Sequence, residues 1–252
     1  MRFAVVRDAD ELAVAASELL RDRVRATPAL AVAVPAGRTP RRMYARLRDM
    51  QARDPVDFSR LRVFSVDELC PPAPVDGYFW RQVRREFVGW AAVPQERCHP
   101  FRVEADDLDA MCQGYEQTIA RCGGLDLVML GLGPNAHLAS NEPGGPLDSS
   151  TRPVTLLPET VAYIKTDGVN LALAGGAVSD RAVTLGLATI LAAREVVVLV
   201  SGPAKRRAIA GLAAGPITPE VPGSILRRHP NCTILLDRDA SPELLSPDIL
   251  VP

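Results

Sequence analysis

The 252-residue sequence contains no apolar run of membrane-spanning length; its longest hydrophobic stretches are broken within about ten residues, against the roughly 20 that a bilayer requires. Met1 leads directly into an apolar segment and an acidic turn, without the basic start and long apolar core of a secretory signal. Charge of one sign is equally scarce. With 29 Lys and Arg against 30 Asp and Glu, the net charge is -1, and arginines alternate with acids, as in Arg21-Asp22-Arg23. Nothing here gives an electrostatic reason for a nucleic acid or an anionic membrane as partner. Cysteine is sparse and scattered: Cys70, Cys98, Cys112, Cys122 and Cys232 form no Cys-x-x-Cys pair and stand at no zinc-like spacing from a histidine. They are expected as free thiols in a reducing, cytoplasmic setting, and no metal site is expected.

What is present is an alternation of strands and helices. Arg2 to Val6, Ala29 to Val34, Leu61 to Val66, Leu125 to Leu130, Glu195 to Val200 and Cys232 to Leu236 read as strands, several apolar enough to be buried on both faces. Asp8 to Arg25, Arg41 to Ala52, Tyr78 to Phe87, Asp106 to Arg121 and Ala204 to Ala214 read as helices. Leu171 to Ala174 is expected as a strand. Asp180 to Leu191 suits a helix or, over Val183 to Leu187, a strand, and Thr151 to Ile164 is open. The pattern predicts one α/β domain with a mostly parallel sheet and helices on both faces.

Three strand ends carry chemistry. Pro35-Ala36-Gly37-Arg38-Thr39-Pro40 turns a strand into a helix, with Thr39 expected as N-cap and Pro40 in the first helical position. Such a turn is either an ordinary capped connection or, given Gly37 and Arg38, an anion site in which a helix start and a guanidinium receive a phosphate. The third strand ends in Asp67-Glu68 before a proline-rich loop, where a carboxylate is either solvated or poised as a base. Leu125 to Leu147 ends its strand in Gly131-x-Gly133-x-x-Ala136, superficially a dinucleotide fingerprint, but Asn141, Pro143, Gly144, Gly145 and Pro146 break any helix within about two turns. His137, one of three histidines, lies there with Asn135 and Glu142 close enough in sequence for a carboxylate to set its tautomer. Lys205 falls in the first turn of a predicted helix, where a cation opposes the helix dipole; a bound anion or plain solvation would account for it.

Taken in order, the AGRTP turn, the FSVDE strand end and GLGPNAHLASNEPG resemble the glucosamine-6-phosphate deaminase/6-phosphogluconolactonase superfamily, over about Ala29 to Asp237. The resemblance implies a Rossmann-like sheet that binds no dinucleotide, and Asn141-Glu142-Pro143 resembles the deaminase-isomerase branch. It implies conversion of glucosamine 6-phosphate to fructose 6-phosphate and ammonia without metal or organic cofactor. By the same resemblance His137 assists ring opening, Asp67 moves a proton between C2 and C1, and Glu142 with Asn135 tunes His137. Gly37, Arg38, Thr39 and Lys205 would bind the substrate phosphate, with Lys165 and Arg181 as further candidates. Ser140 stands within a lactonase-like His-x-Ala-Ser, so ester hydrolysis by a 6-phosphogluconolactonase is the second reading, and a non-catalytic sugar-phosphate-binding protein the third. The expected partner is a small phosphorylated sugar, with self-association into a homo-oligomer left open.

Allosteric hexameric deaminases of the resembled family carry a basic pair after Asn-Glu-Pro. Here Arg152 matches one member and Val154 occupies the place of the other. Hyperbolic kinetics, unchanged by N-acetylglucosamine 6-phosphate, are therefore expected; initial rates against substrate concentration, with and without that compound, check this.

Overall fold

Strands that are apolar on both faces need cover above and below, and the computed structural model, which describes residues 1–74 and 76–242, supplies it. β1 (Arg2–Val6) leads into α1 (Ala9–Ala26), whose N-cap Asp8 accepts the N–H groups of Asp10 and Glu11. Then follow β2 (Ala31–Val34), α2 (Arg38–Arg53), β3 (Arg62–Ser65), β4 (Asp67–Leu69) and α3 (Phe79–Val83), which continues as a π-helical turn over Arg84–Val88. Next are β5 (Cys98–His99), α4 (Leu108–Arg121), β6 (Leu127–Gly131) and β7 (Arg152–Thr155). After two short helices, α5 (Pro158–Lys165) and α6 (Gly168–Leu173), the chain forms β8 (Arg181–Thr184), α7 (Leu187–Leu191) and β9 (Glu195–Val200). A 3₁₀ turn at Pro203–Lys205, α8 (Arg206–Ala213), a second 3₁₀ segment at Pro222–Arg228 and β10 (Cys232–Asp237) complete it.

Seven strands make one parallel sheet in the order β1-β10-β9-β6-β2-β3-β5. One face packs Leu12 and Leu20 of α1 with Tyr44 of α2, Phe58 and Phe87, where Tyr44 and Phe87 stack at 5.4 Å. The opposite face packs Ile119 of α4, Ile190 of α7 and Ile209 and Leu212 of α8. The chain leaves β2 in one direction, through β3 to β5, and returns on the other side of β2 as β6. Adjacent strands that diverge in this way leave a crevice at their carboxyl ends, the usual binding place of open α/β sheets. Pro35–Gly37 and Gly131–His137 both emerge there.

A second sheet, β4-β8-β7, is antiparallel. The chain crosses between the sheets through a single residue: β3 ends at Ser65, the Leu185 N–H donates to the Val66 carbonyl at 2.9 Å, and β4 begins at Asp67. Leu69, Tyr78, Leu156 and Ala182 form the small core of this layer, against which Val161 and Ile164 of α5 pack.

The predicted strands of the main sheet are present, Arg2–Val6 and Glu195–Val200 with the expected bounds and the others shifted by one or two residues. Several local readings are corrected. Thr39 is not the N-cap of α2; Gly37 is, with φ 115°, and Thr39 and Pro40 lie in the first turn, where a missing N–H costs nothing. Leu171 to Ala174 is not a strand, because the Asp167 carboxylate caps the Asn170 N–H and starts α6. Asp180 to Leu191 divides into β8 and α7, and Lys205 lies in a tight turn before its helix.

Gly186, between β8 and α7, is required by space: a Cβ would stand 2.0 Å from the Ser149 carbonyl oxygen and 2.2 Å from that of Ser150. Gly186→Ala is expected to cost about 1–3 kcal/mol, as overpacking does, read as a lowered midpoint of urea unfolding.

Candidate active site

Asp67 opens β4 at the junction of the two sheets and is 9% exposed. Burial raises its carboxyl pKa to about 6, against the opposing influence of the Ser140 hydroxyl and of the His137 charge. Ser140 Oγ donates to Asp67 Oδ2 at 2.8 Å. The Ser140 N–H in turn donates to Thr184 Oγ1 of β8 at 3.1 Å, so the hydroxyl is held by the strand that pairs with β4. A carboxyl group half-protonated near pH 6 can both take and return a proton close to neutrality.

The loop after β6 brings His137 to the same place. Its shape depends on three small residues. Gly133 lies against the imidazole, where a Cβ would meet ring atoms at 2.4 Å, while Ala136 and Ala139 have φ values of 67° and 49°. These are left-handed conformations that alanine rarely adopts, held here by hydrogen bonds from the Gly133 N–H to the His137 carbonyl and from the Gly223 N–H to the Ala136 carbonyl, both 3.0 Å. Behind the ring, Glu142 Oε2 lies 3.6 Å from His137 Nδ1, too long for a hydrogen bond, and Nδ1 is buried without another partner. Asn135 links the two residues: its Nδ2 donates to Glu142 Oε2 at 3.1 Å and its Oδ1 accepts the His137 N–H at 3.2 Å. Burial pushes the Glu142 carboxyl up, but His137, Thr160 and Asn135 together outweigh it and hold it below the usual carboxylate range. A charged Glu142 therefore faces the Nδ1 edge of the His137 ring.

The third group of residues is cationic. The side chains of Arg38, at the start of α2, and Lys205, after β9, converge on the Tyr163 ring, 4.7 and 4.5 Å from its centroid. Among the described residues neither cation is paired with a carboxylate, although Lys205 is only 7% exposed. Its turn is fixed from the neighbouring strand end, where Asp237 accepts from Ser201 Oγ at 2.5 Å and from the Gly202 N–H at 3.1 Å. The Gly37 N–H is engaged by Gln82 Oε1 at 2.9 Å, and Gln82 Nε2 returns a bond to the Gly37 carbonyl at 2.9 Å. Gly37 thus shapes the turn, and the N–H groups of Arg38 and Thr39 are what the start of α2 offers to an anion.

One cavity of about 160 Å³ is lined by Gly37, Arg38, Thr39, Asp67, His137 and Lys205, with Ser140 and Tyr163 also in its wall. Asn135 and Glu142 act from behind His137 rather than from the cavity wall. Lys165 and Arg181 are exposed and line no part of it. A larger cavity, about 900 Å³, lies beside β5 and holds none of the predicted residues. No group of three or more His, Cys, Asp or Glu side chains suited to a metal occurs among the described residues.

Residues 7–235 match the model of the family of glucosamine-6-phosphate isomerases and 6-phosphogluconolactonases. The chain belongs to this family. A protein of Halothermothrix orenii named glucosamine-6-phosphate deaminase is 33% identical over 96% of this chain and 99% of its own length, and one of Rhodopirellula baltica with the same name is 34% identical over 96% and 95%. The solved structure of a monomeric glucosamine-6-phosphate deaminase is 28% identical and superposes with a TM-score of 0.87 over 95% of this chain and 98% of that one. The 6-phosphogluconolactonase of Trypanosoma brucei, 24% identical with a TM-score of 0.73 over 95% and 97%, shares the fold.

Two residues in the wall of this cavity were not assigned a place in it from sequence. Ser140 stands out only as a lactonase-like feature of its motif, and its bond to Asp67 joins residues 73 positions apart. Tyr163 lies in a segment whose secondary structure the sequence leaves open. The acidic start of α5 and its Pro158 were the available signals for a helix.

The strain at Ala136 is testable. Ala136→Gly frees the left-handed position from its Cβ clash and is expected to stabilise the protein by about 1 kcal/mol, read as a raised urea midpoint.

Proposed function

We propose that this family member is a glucosamine-6-phosphate deaminase, converting glucosamine 6-phosphate and water to fructose 6-phosphate and ammonia. The reading is supported above all by one arrangement: a desolvated carboxyl, a carboxylate-backed histidine and two cations without acidic partners among the described residues border the same small cavity. The names of the relatives agree with it.

The sugar phosphate enters with its phosphate toward Arg38, Lys205 and the start of α2, far in chemistry from the bonds that change. That binding energy positions the other end of the sugar. His137 transfers the proton that opens the ring at the ring oxygen, with Glu142 and Asn135 orienting it from behind. Asp67, as carboxylate, takes the proton from C2 of the open amino aldose and returns it to C1. This leaves an imine at C2, which water hydrolyses to the ketone and ammonia. One carboxyl group serves both carbons because its raised pKa makes removal and return of the proton comparably easy.

Ammonia release from glucosamine 6-phosphate, against acid release from 6-phosphogluconolactone, separates this activity from the lactonase reading. The described surface exposes one large hydrophobic side chain, Val169, and so offers no broad apolar face of the kind obligate oligomers bury. With its free cysteines kept reduced, the enzyme is placed in the cytoplasm in this reading, and self-association through a polar face stays open.

Asp67→Asn is expected to lower turnover by at least about 10³-fold and to abolish exchange of the C2 proton with solvent, while inorganic phosphate still binds. Retained exchange would show that another group is the base. The base works only when ionised, so turnover falls as pH drops through about 6. Ser140→Ala removes a bond that favours the carboxylate, so the acid limb of the rate–pH profile should move to higher pH.

A further inference from the structure

Two cations drawn to one place repel one another, and the repulsion is screened less where one of them is buried. Lys205 is buried and Arg38 is exposed at the start of α2, each lies over the ring of Tyr163, and among the described residues neither is paired with a carboxylate. Burial pulls the Lys205 ammonium below its usual pKa and Arg38 pulls it further, while the Tyr163 hydroxyl, by its charge and its hydrogen-bonding capacity, acts in the opposite sense. The phenol feels the reciprocal effect: burial would raise its pKa, but Lys205 and Arg38 more than offset this and hold it low. An aromatic ring carries negative potential on its face and can hold a cation there, most strongly when water is excluded.

Tyr163 belongs to α5, which is tied to the rest of the site at its start. The Leu157 N–H, at the N-cap of α5, donates to Glu142 Oε1 at 3.3 Å. The adjoining α6 is tied as well: Asn170 Nδ2 donates to Gln82 Oε1 at 2.6 Å, and Arg41 on α2 bonds Asp167 at 3.1 Å. The ring is therefore held over the cations by a frame that is independent of them.

We propose that Tyr163 is a positioning residue of the phosphate subsite, its ring keeping Arg38 and Lys205 converged and charged so that a phosphate meets a preassembled pair. This rests on the phosphate-binding role given above to Arg38 and Lys205. When the phosphate arrives it supplies the charge that the ring only approximates, and the two cations need not be brought together at that moment. Preassembly of this kind raises affinity by lowering the cost of ordering on binding.

Titration calorimetry with inorganic phosphate tests this without depending on turnover. Tyr163→Leu is expected to weaken phosphate binding about tenfold, with the KM for glucosamine 6-phosphate rising in parallel. Tyr163→Phe, which keeps the ring, should stay within about twofold of the native affinity. In the leucine variant Lys205 should also lose its proton more readily, moving the alkaline loss of phosphate binding to lower pH, a shift that a purely structural role for the ring would not produce. Native protein that binds phosphate beside a leucine variant that binds it equally, or with an unmoved alkaline limb, would overturn the inference alone. A phenylalanine variant as weak as the leucine variant would overturn the ring face as the agent. Native protein that binds no phosphate would overturn the phosphate reading of the cavity and this inference with it.

Discussion

The site depends on a carboxyl group being kept out of water at a seam. Asp67 lies where the chain passes from a parallel to an antiparallel sheet, and both contribute to its burial. β3 delivers it to the crevice, while β4 pairs with β8 and brings Thr184 to the Ser140 backbone. A carboxylate buried without compensation would stay protonated and could not serve as a base; one fully solvated would hold a pKa near 4 and return its proton reluctantly. The single bond from Ser140 lies between these limits.

Proximity is achieved at the expense of backbone comfort. The turn from Gly133 to Ser140 must pass an imidazole over a glycine and then reach β8, and two alanines adopt left-handed conformations along the way. Such strain persists only where surroundings enforce it. Beside the two backbone bonds, the enforcement comes from Asn141, whose amide donates to the carbonyls of Leu138 and Leu185 at 2.9 and 2.8 Å and whose oxygen accepts from Arg152 at 2.9 Å. Asn141 and Glu142 are adjacent, yet one anchors the loop while the other supports His137 and meets the start of α5.

Much of this was legible beforehand, for a definite reason. The strands of the main sheet are buried on both faces and must be continuously apolar, so they show in any reading of hydrophobicity, and glycine-rich or carboxylate-bearing strand ends mark where the crevice opens. Gly37, Arg38, Thr39, Asp67 and His137 stand out on that basis and Lys205 by its place at a helix start; the family resemblance gave them their roles, and one cavity unites them. The second layer was less legible. Its strands are only three or four residues long, α6 looks like a strand over four apolar residues, and β8 runs into α7 within one ambiguous stretch. Lys165 and Arg181, candidates chosen from that layer, are exposed away from the cavity.

The sequence by itself determined the alternation of elements, the parallel sheet and the chemical character of its strand ends, because these follow from local periodicity and from residues adjacent in the chain. Only the tertiary structure decided which side chains complete the chemistry. Ser140 reaches Asp67, Tyr163 meets Arg38 and Lys205, and Gln82 takes the Gly37 N–H that an anion would otherwise have claimed. Each of these contacts spans tens of residues, and contact across such distances is set by how layers stack, which no local pattern encodes.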